Sequence, residues 1–441
     1  MDIEWWVVLV SIIPGIIVFM LLPKQIKYMH KINWIGHDIH KLARPAVAES
    51  GGISVFIGLV SGLVLLLILV PSMAWTTLAV LGSVACAAAI GFLDDNYRFS
   101  ALKKIFSIVF AAIPMLVLYL ATYGTGIIPG TPYVPILGGL RVTILYPLFI
   151  PAFLAVLMNA TNMYEGYNGQ GSSTSIIVTA CLILGAICMG GIANEALLLS
   201  IPLLASLVAF YYYNKFPARV FPGDIGTLTI GMMFGCIAIV GHIEFVLIIA
   251  VLPHAFNAFH VIRSVRGFKE SDTIKIKDIE VIEGDLIKAN TQRQAPLTIP
   301  RILVAPKPLS EPALVKNVIA LSLTPASLAV LSAAWIAAPF AGASTSMVLV
   351  IVLIIISTIV FVFSSIKFPA TRVLNLVFFG GYFGLIALLL FVQIYVFPIG
   401  GIISWMEGGV IGLVGLAVWY FIPFKYFTRL TTRPPKDNSG A

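Results

Sequence analysis

The chain has 441 residues, of which 59% are hydrophobic and only 10% charged, and its mean hydropathy is +1.02. Such a composition excludes a water-soluble globular domain, which could not keep so much apolar surface from water. The net charge of +8 does not mark a nucleic-acid binder, because the lysines and arginines are divided among several short loops and form no single stripe.

Apolar segments of about 20 residues, each able to cross the hydrocarbon core as a helix, recur along the chain. They predict spans near 5-22, 52-71, 75-93, 104-122, 146-163, 174-193, 197-213, 225-242, 244-262 and 317-338, then 346-366, 373-395 and 405-424. None shows the two-residue alternation of a membrane barrel. The fold class is therefore an all-α polytopic integral membrane protein, with about ten core helices and about three more at the C-terminal end. The first segment follows Asp2 and Glu4, not a basic stretch, and no small-residue cleavage site comes after it, so it reads as a retained span.

With alternate crossings, the connections 23-51, 94-104, 159-173, 214-227 and 263-316 share one face. They carry most of the basic residues, which places that face in the cytoplasm. On the other face, the Gly- and Pro-rich stretch 123-145 predicts a small extracytoplasmic β-hairpin. Within 263-316, "TIKIKDIEVI" alternates as an exposed strand does. Cys86, Cys181, Cys188 and Cys236 lie in apolar runs and read as small buried hydrophobes. The chain divides into a core at 1-340, additional helices at 341-425 that look like an appendage, and a disordered tail at 426-441.

The polar residues gather on the basic face. Asp94 and Asp95 follow an apolar span directly, and adjacent carboxylates at a membrane edge repel unless cations or hydrogen bonds neutralise them. A solvated helix-end pair would explain them equally well. Lys103 and Lys104 come about two turns later and suit either phosphate binding or membrane-edge anchoring. Asp224, in "FPGDIGT", opens a helix after a Pro-Gly turn, a place that suits a metal-bridged phosphate or a simple cap. Asn162 and Asn168, in "ATNMYEGYNGQGSS", offer hard neutral oxygens of the kind Mg²⁺ accepts beside substrate phosphates. Turn formation alone would also account for Asn168. The irregular spacing of His37, His40, His254 and His260 does not make a zinc site.

These motifs, in this order, resemble the polyprenyl-phosphate N-acetylhexosamine-1-phosphate transferases over about residues 1 to 340. "GHDIHKLARPAVAES" and "LPHAFNAF" are most similar to the dolichyl-phosphate N-acetylglucosamine-1-phosphate transferases of eukaryotes and archaea. The histidine-rich motif of the bacterial relatives is not found here. The resemblance implies an active-site role for Asp94 and Asp95 in "GFLDDN" and phosphate binding by Lys104. It makes Asn162 and Asp224 ligands of Mg²⁺, with Mn²⁺ able to take its place, and gives Asp224 a catalytic part. Asn168 and the Phe221 ring become uracil contacts, Arg301 in "TIPRI" a pyrophosphate or sugar contact, and Ile39, Lys41 and Glu49 further substrate contacts in the first loop. The partners implied are a UDP-sugar, a polyprenyl or dolichyl phosphate and the bilayer, with no nucleic acid; a homodimer is left open.

The implied reaction transfers N-acetylglucosamine 1-phosphate, or a related sugar phosphate, to the lipid phosphate and releases UMP. The active site would lie on the cytoplasmic face, of the plasma membrane in an archaeon or of the endoplasmic reticulum in a eukaryote. A glycosyltransferase releasing UDP is the rival enzyme, and a transporter of a nucleotide-sugar or lipid-linked anion is the rival of another class. Transporters keep their ionisable residues near the bilayer midplane, whereas these sit at span ends.

Overall fold

The computed structural model describes residues 5–122, 128, 130–140, 142–190, 194–269, 273–338, 343–396 and 402–432. They form a polytopic helical bundle in which, among the described residues, ten helices are long and apolar enough to cross a membrane, or eleven counting one bent pair as a span. In chain order come α1 (Trp5–Lys31), α2 (Gly52–Leu69), α3 (Ala74–Tyr97), α4 (Ala101–Ala111), α5 (Ile113–Ala121), α6 (Tyr146–Met163), α7 (Gln170–Met189), α8 (Asn194–Asn214) and α9 (Gly223–Val240). After these follow α10 (Glu244–Ala250), α11 (Leu252–Ser264), α12 (Ile299–Val304), α13 (Glu311–Ala337), α14 (Ala343–Lys367), α15 (Arg372–Phe391) and α16 (Ile402–Thr432).

Two expected spans are not continuous helices. Residues 104-122 divide into α4 and α5, and Pro114 stands in the first turn of α5, where its missing N–H costs nothing. The span expected at 244-262 bends by 66° between α10 and α11, with Pro253 in the first turn after the break.

Burial and hydropathy run in opposite directions. The spanning window of α9 has a mean hydropathy of 1.7 and is 89% buried, whereas that of α14 reaches 3.1 and is 17% buried. Lipid tails are as apolar as leucine, so a helix facing them must be uniformly apolar, while an enclosed helix can carry the small and polar residues that let backbones approach. Gly91 of α3 does this against α9: a Cβ there would lie 2.5 Å from the backbone N and Cα of Ile225.

Small sheets edge the bundle. Strands β1 (Ile35–His37) and β2 (Ala46–Ala48) pair antiparallel in the first loop. The expected hairpin in 123-145 is β3 (Tyr133–Val134) with β4 (Gly138–Gly139). In the long loop, β5 (Ile279–Ile282) pairs with β6 (Leu286–Ala289), which pairs with β7 (Leu309–Ser310). Only the last four residues of "TIKIKDIEVI" join that ladder; the Asp278 side chain accepts instead from Thr298 at 2.6 Å.

At the C-terminal end, the helix continues through Thr432 and takes in the first seven residues of the expected tail. Phe427 is buried there, in a cluster with Phe256 of α11, Ile299 and Leu303 of α12 and Phe378 of α15, so this last turn has packing to hold it. Residues 433-441 lie outside the described residues. Of the four cysteines, Cys181 and Cys236 are buried as expected, but Cys86 is exposed and Cys188 half-buried, since both sit on outward faces of their helices.

Candidate active site

Local backbone chemistry brings three carboxylates and a lysine together at one end of the bundle. Helix α3 ends at Arg98, which adopts a left-handed conformation (φ 47°), and its N–H donates to the Asp94 carbonyl at 2.8 Å. The Asp94 side chain accepts from the Phe99 N–H at 2.7 Å, so the chain turns back and α4 returns Lys104 over α3. Lys104 Nζ then lies 2.7 Å from Asp94 Oδ2 and 2.5 Å from Asp224 Oδ2. Its neighbour Lys103 turns outward onto the Phe99 ring, 4.0 Å from the centroid.

Asp224 stands in the first turn of α9, where unpaired N–H groups favour negative charge. The preceding Gly223 has φ 66°, and a Cβ there would meet Asp95 Oδ2 at 2.6 Å, so glycine alone permits this approach. Asp95 Oδ1 accepts from the Asp224 N–H at 2.8 Å and its Oδ2 from the Ser50 hydroxyl at 3.0 Å. Asn162, in the last turn of α6, donates through Nδ2 to Asp224 Oδ1 at 2.5 Å and to Thr227 Oγ1 at 2.8 Å. Its amide oxygen takes no hydrogen bond among the described residues. Two carboxylates, Asp94 and Asp224, thus face one ammonium, and the Asp95 carboxylate lies beside them on the Asp224 N–H, so the group carries formally two negative charges in excess.

A second polar cluster joins the first loop, the 164–170 turn and the start of α13. Lys41 Nζ bridges Asp38 Oδ2 and Glu311 Oε2, the latter at 2.6 Å. Asn168 donates its backbone N–H to Glu311 Oε1 at 2.8 Å and its Nδ2 to Asp38 Oδ2 at 3.0 Å and Glu311 Oε2 at 3.4 Å. Burial raises the Asp38 carboxyl, but hydrogen bonds from Lys41 and Asn168 outweigh it and hold it below its ordinary value. The His40 ring stacks on Tyr167 at 4.1 Å, and burial lowers its pKa to about 4, so it is neutral at pH 7. Asp38, His40 and Glu311 could together offer three ligand atoms to a metal, but the Lys41 ammonium already bridges the two carboxylates.

Residues 77–242 match the model of glycosyl transferase family 4. A relative from Sulfolobus acidocaldarius, provisionally named UDP-N-acetylglucosamine–dolichyl-phosphate N-acetylglucosaminephosphotransferase, is 34% identical over 284 residues, which cover 63% of this chain and 84% of the relative. One of the same name from Saccharolobus solfataricus is 33% identical over 52% of this chain and 69% of its own length. The phospho-N-acetylmuramoyl-pentapeptide-transferase of Streptococcus agalactiae is 28% identical over 59% of this chain and 81% of its own length. The chain belongs to glycosyl transferase family 4.

Of the residues that resemblance singled out, this family member brings Asp94, Asp95, Lys104, Asn162 and Asp224 into one constellation. Lys41 and Asn168 meet in the second cluster. Glu49 lies half-buried over Gly36, where burial raises its carboxyl, with Arg98 and Asp224 as charged neighbours. Phe221 is half-buried, and its N–H donates to the Ala48 carbonyl at 2.8 Å, which ties the Asp224 turn to the first loop. Ile39 is 59% exposed on that loop.

Arg301 is placed differently. It is 2% exposed, and its guanidinium donates to the backbone carbonyls of Asn290 (2.9 Å), Ala295 (2.7 Å), Pro296 (3.2 Å) and Gln292 (2.8 Å). It holds the 290–296 loop in shape and reaches neither cluster. Sequence reasoning missed Asp38, Glu311 and Ser50. Asp38 was within the quoted "GHDIHK", but nothing in the sequence announced that a carboxylate 273 residues away would share its lysine.

Proposed function

We propose that this chain transfers an N-acetylhexosamine 1-phosphate, specifically N-acetylglucosamine 1-phosphate, from its UDP-sugar to a polyprenyl or dolichyl phosphate. The products are UMP and a lipid pyrophosphoryl sugar. The names of the relatives supply the reaction class, and the observation that carries the reading is the group at the ends of α3 and α9 in which Lys104 joins Asp94 to Asp224 and Asp95 braces the Asp224 turn.

A lipid phosphate is already ionised near pH 7, so the chief obstacle is repulsion between two polyanions. In this reading an oxygen of the lipid phosphate attacks the sugar-proximal phosphorus, the bond from that phosphorus to the bridging oxygen breaks, and UMP leaves with the electron pair. Lys104 offsets the developing charge, and Asp94 positions the acceptor phosphate; fixed charges of this kind usually dominate phosphoryl transfer.

The donor set suits a hard divalent cation: oxygens only, two negative charges in excess, and an Asn162 amide oxygen free among the described residues. Asp224 and Asn162 would hold Mg²⁺ or Mn²⁺, which when bound supplies Lewis-acid neutralisation of the donor pyrophosphate. The site would face the cytoplasm, where the donor is soluble, in keeping with the basic loops of that face.

The test supplies the purified chain, in lipid with Mg²⁺, with a dolichyl or polyprenyl phosphate and UDP-N-acetylglucosamine labelled in both sugar and nucleotide. Release of UMP with a lipid-soluble labelled sugar is expected. Release of UDP, or no turnover with any acceptor, would overturn the reading.

A further inference from the structure

A groove of about 680 Å³ opens between α11 and α16, walled by Phe259, Ile262, Arg263, Arg266, Trp419 and Tyr420. No member of either polar cluster lines it. Helical spacing puts Phe259, Ile262 and Arg263 on one face of α11. Asn257 comes two residues before Phe259, about 200° round the helix, and so lies on the opposite face. There it donates to the Met163 carbonyl, beside Asn162, and accepts from the Ile299 N–H, both at 2.9 Å. The groove is thus on the back of α11, turned away from α6 and the first cluster.

Its chemistry is divided. The indole N–H of Trp419 donates to the Val377 carbonyl at 2.9 Å and the Tyr420 hydroxyl to the Phe259 carbonyl at 3.1 Å, so both rings are pinned and their polar tips are spent. Arg263, in the last turn of α11, lies over the Phe421 and Phe424 rings of α16, 4.8 and 5.4 Å from their centroids. Arg266 follows with φ 61°, at a helix end where glycine is the usual occupant of such a backbone. Neither guanidinium has an ion pair or a hydrogen bond among the described residues. Phe259 is 52% exposed, and on a membrane-spanning bundle such an outward ring meets acyl chains. The groove therefore joins two uncommitted cations to an apolar wall that opens toward lipid.

We infer that this groove binds an anionic phospholipid of the surrounding bilayer, with Arg263 and Arg266 taking its phosphate and an acyl chain lying along Phe259, Ile262 and the Trp419 ring. Guanidinium N–H groups form a fork that matches phosphate oxygens. A zwitterionic headgroup offers the same phosphate but adds an ammonium that two guanidiniums repel, so net negative charge decides the preference. Trp419 and Tyr420 are of the kind that settle at headgroup depth, which sets the phosphate at the level of the arginines.

The test titrates the full chain in neutral detergent with phosphatidylglycerol or with phosphatidylcholine of the same acyl chains, and counts bound lipid by native mass spectrometry. The wild-type chain is expected to bind phosphatidylglycerol about 10- to 30-fold more tightly, the worth of two arginines at a membrane surface. Arg263→Gln with Arg266→Gln should remove that preference, while Lys24→Gln with Lys27→Gln, exposed on α1, should keep it. Arg266→Gln alone, which disturbs no ring of α16, should lose part of it and serves if the double variant does not fold.

Equal binding of the two lipids by the wild-type chain would overturn the inference, and this arm needs no variant. So would a preference that survives the loss of both arginines, or one lost equally in the α1 variant, since either would make it a diffuse effect of surface charge. Displacement of phosphatidylglycerol by inorganic phosphate alone would reduce the groove to an ion site. Displacement by one equivalent of dolichyl phosphate would assign it to the acceptor instead; either result overturns the phospholipid assignment and leaves the transferase reading untouched.

Discussion

The two polar clusters are built from the same parts and differ in charge and in exposure. In each, a lysine bridges two carboxylates and an asparagine amide donates to one or both of them: Lys104 with Asp94, Asp224 and Asn162, and Lys41 with Asp38, Glu311 and Asn168. The first adds Asp95, whose carboxylate accepts from the Asp224 N–H, while the second adds only the neutral His40 ring. Asp224 is 27% exposed, against 3% and 2% for Asp38 and Glu311. Excess charge with access to solvent makes one cluster a place that still calls for a cation. A smaller formal excess, with both carboxylates shut away from solvent, makes the other a clasp.

The largest expected effect breaks the first cluster. Asp224→Asn keeps the shape but removes a charge, and turnover should fall by at least about 100-fold, the usual cost of losing one electrostatic contact to a transition state. Activity near wild type would take Asp224 out of the reaction. Next comes the support beneath it: Gly91→Ala puts a methyl group against the backbone of Ile225 and should cost about 1–3 kcal/mol of stability, as overpacking does. The control is Gly384→Ala, where nothing lies within 4 Å, and equal melting temperatures for the two variants would contradict the close approach.

Breaking the clasp should be milder and of another kind. Lys41→Met strands two buried carboxylates and frees Asn168, so KM for the UDP-sugar is expected to rise about tenfold while kcat falls by less. A pure loss of kcat would move Lys41 into the first cluster's role.

The smallest effect concerns Glu165, on the turn between the two clusters. Burial pushes its carboxyl up from the ordinary 4.5 to about 8, against a lowering hydrogen bond from the Gly171 N–H. The folded chain therefore keeps a proton that the unfolded chain releases, so this contribution to stability is whole below about pH 4.5 and declines as pH rises toward 8. Glu165→Gln should flatten that slope in thermal melts; an unchanged slope would mean that the carboxyl is solvated.

The first cluster was largely legible in the sequence. Asp94, Asp95, Lys104, Asn162 and Asp224 each lie within a few residues of a span end, and alternate crossings put those ends on one face. The spans themselves were legible because length and apolarity decide them, except where Pro114 and Pro253 interrupt a run whose hydropathy continues. The clasp was not legible. Glu311 falls inside the expected connection 263-316, ahead of the span expected at 317-338, and its partners Lys41 and Asn168 are brought to it only by tertiary folding. Arg301 shows the converse: its position in "TIPRI" suggested a ligand contact, while four nearby carbonyls, all within eleven residues, occupy its guanidinium.

The enclosure of α9 also has a mechanical side. Asp224 is mounted on the innermost helix, fastened to α3 at Gly91 and to the Asp95 carboxylate, while the outermost surface belongs to helices such as α14. Stretching or thinning the bilayer acts first on that rim, whose tilt can adjust at a cost of fractions of a kcal/mol per Å. Turnover in bilayers of graded acyl length should accordingly vary less than the tilt of α14 does, because the reacting groups are suspended at the hub of the bundle, as the axle of a wheel is spared the flexing of its tyre.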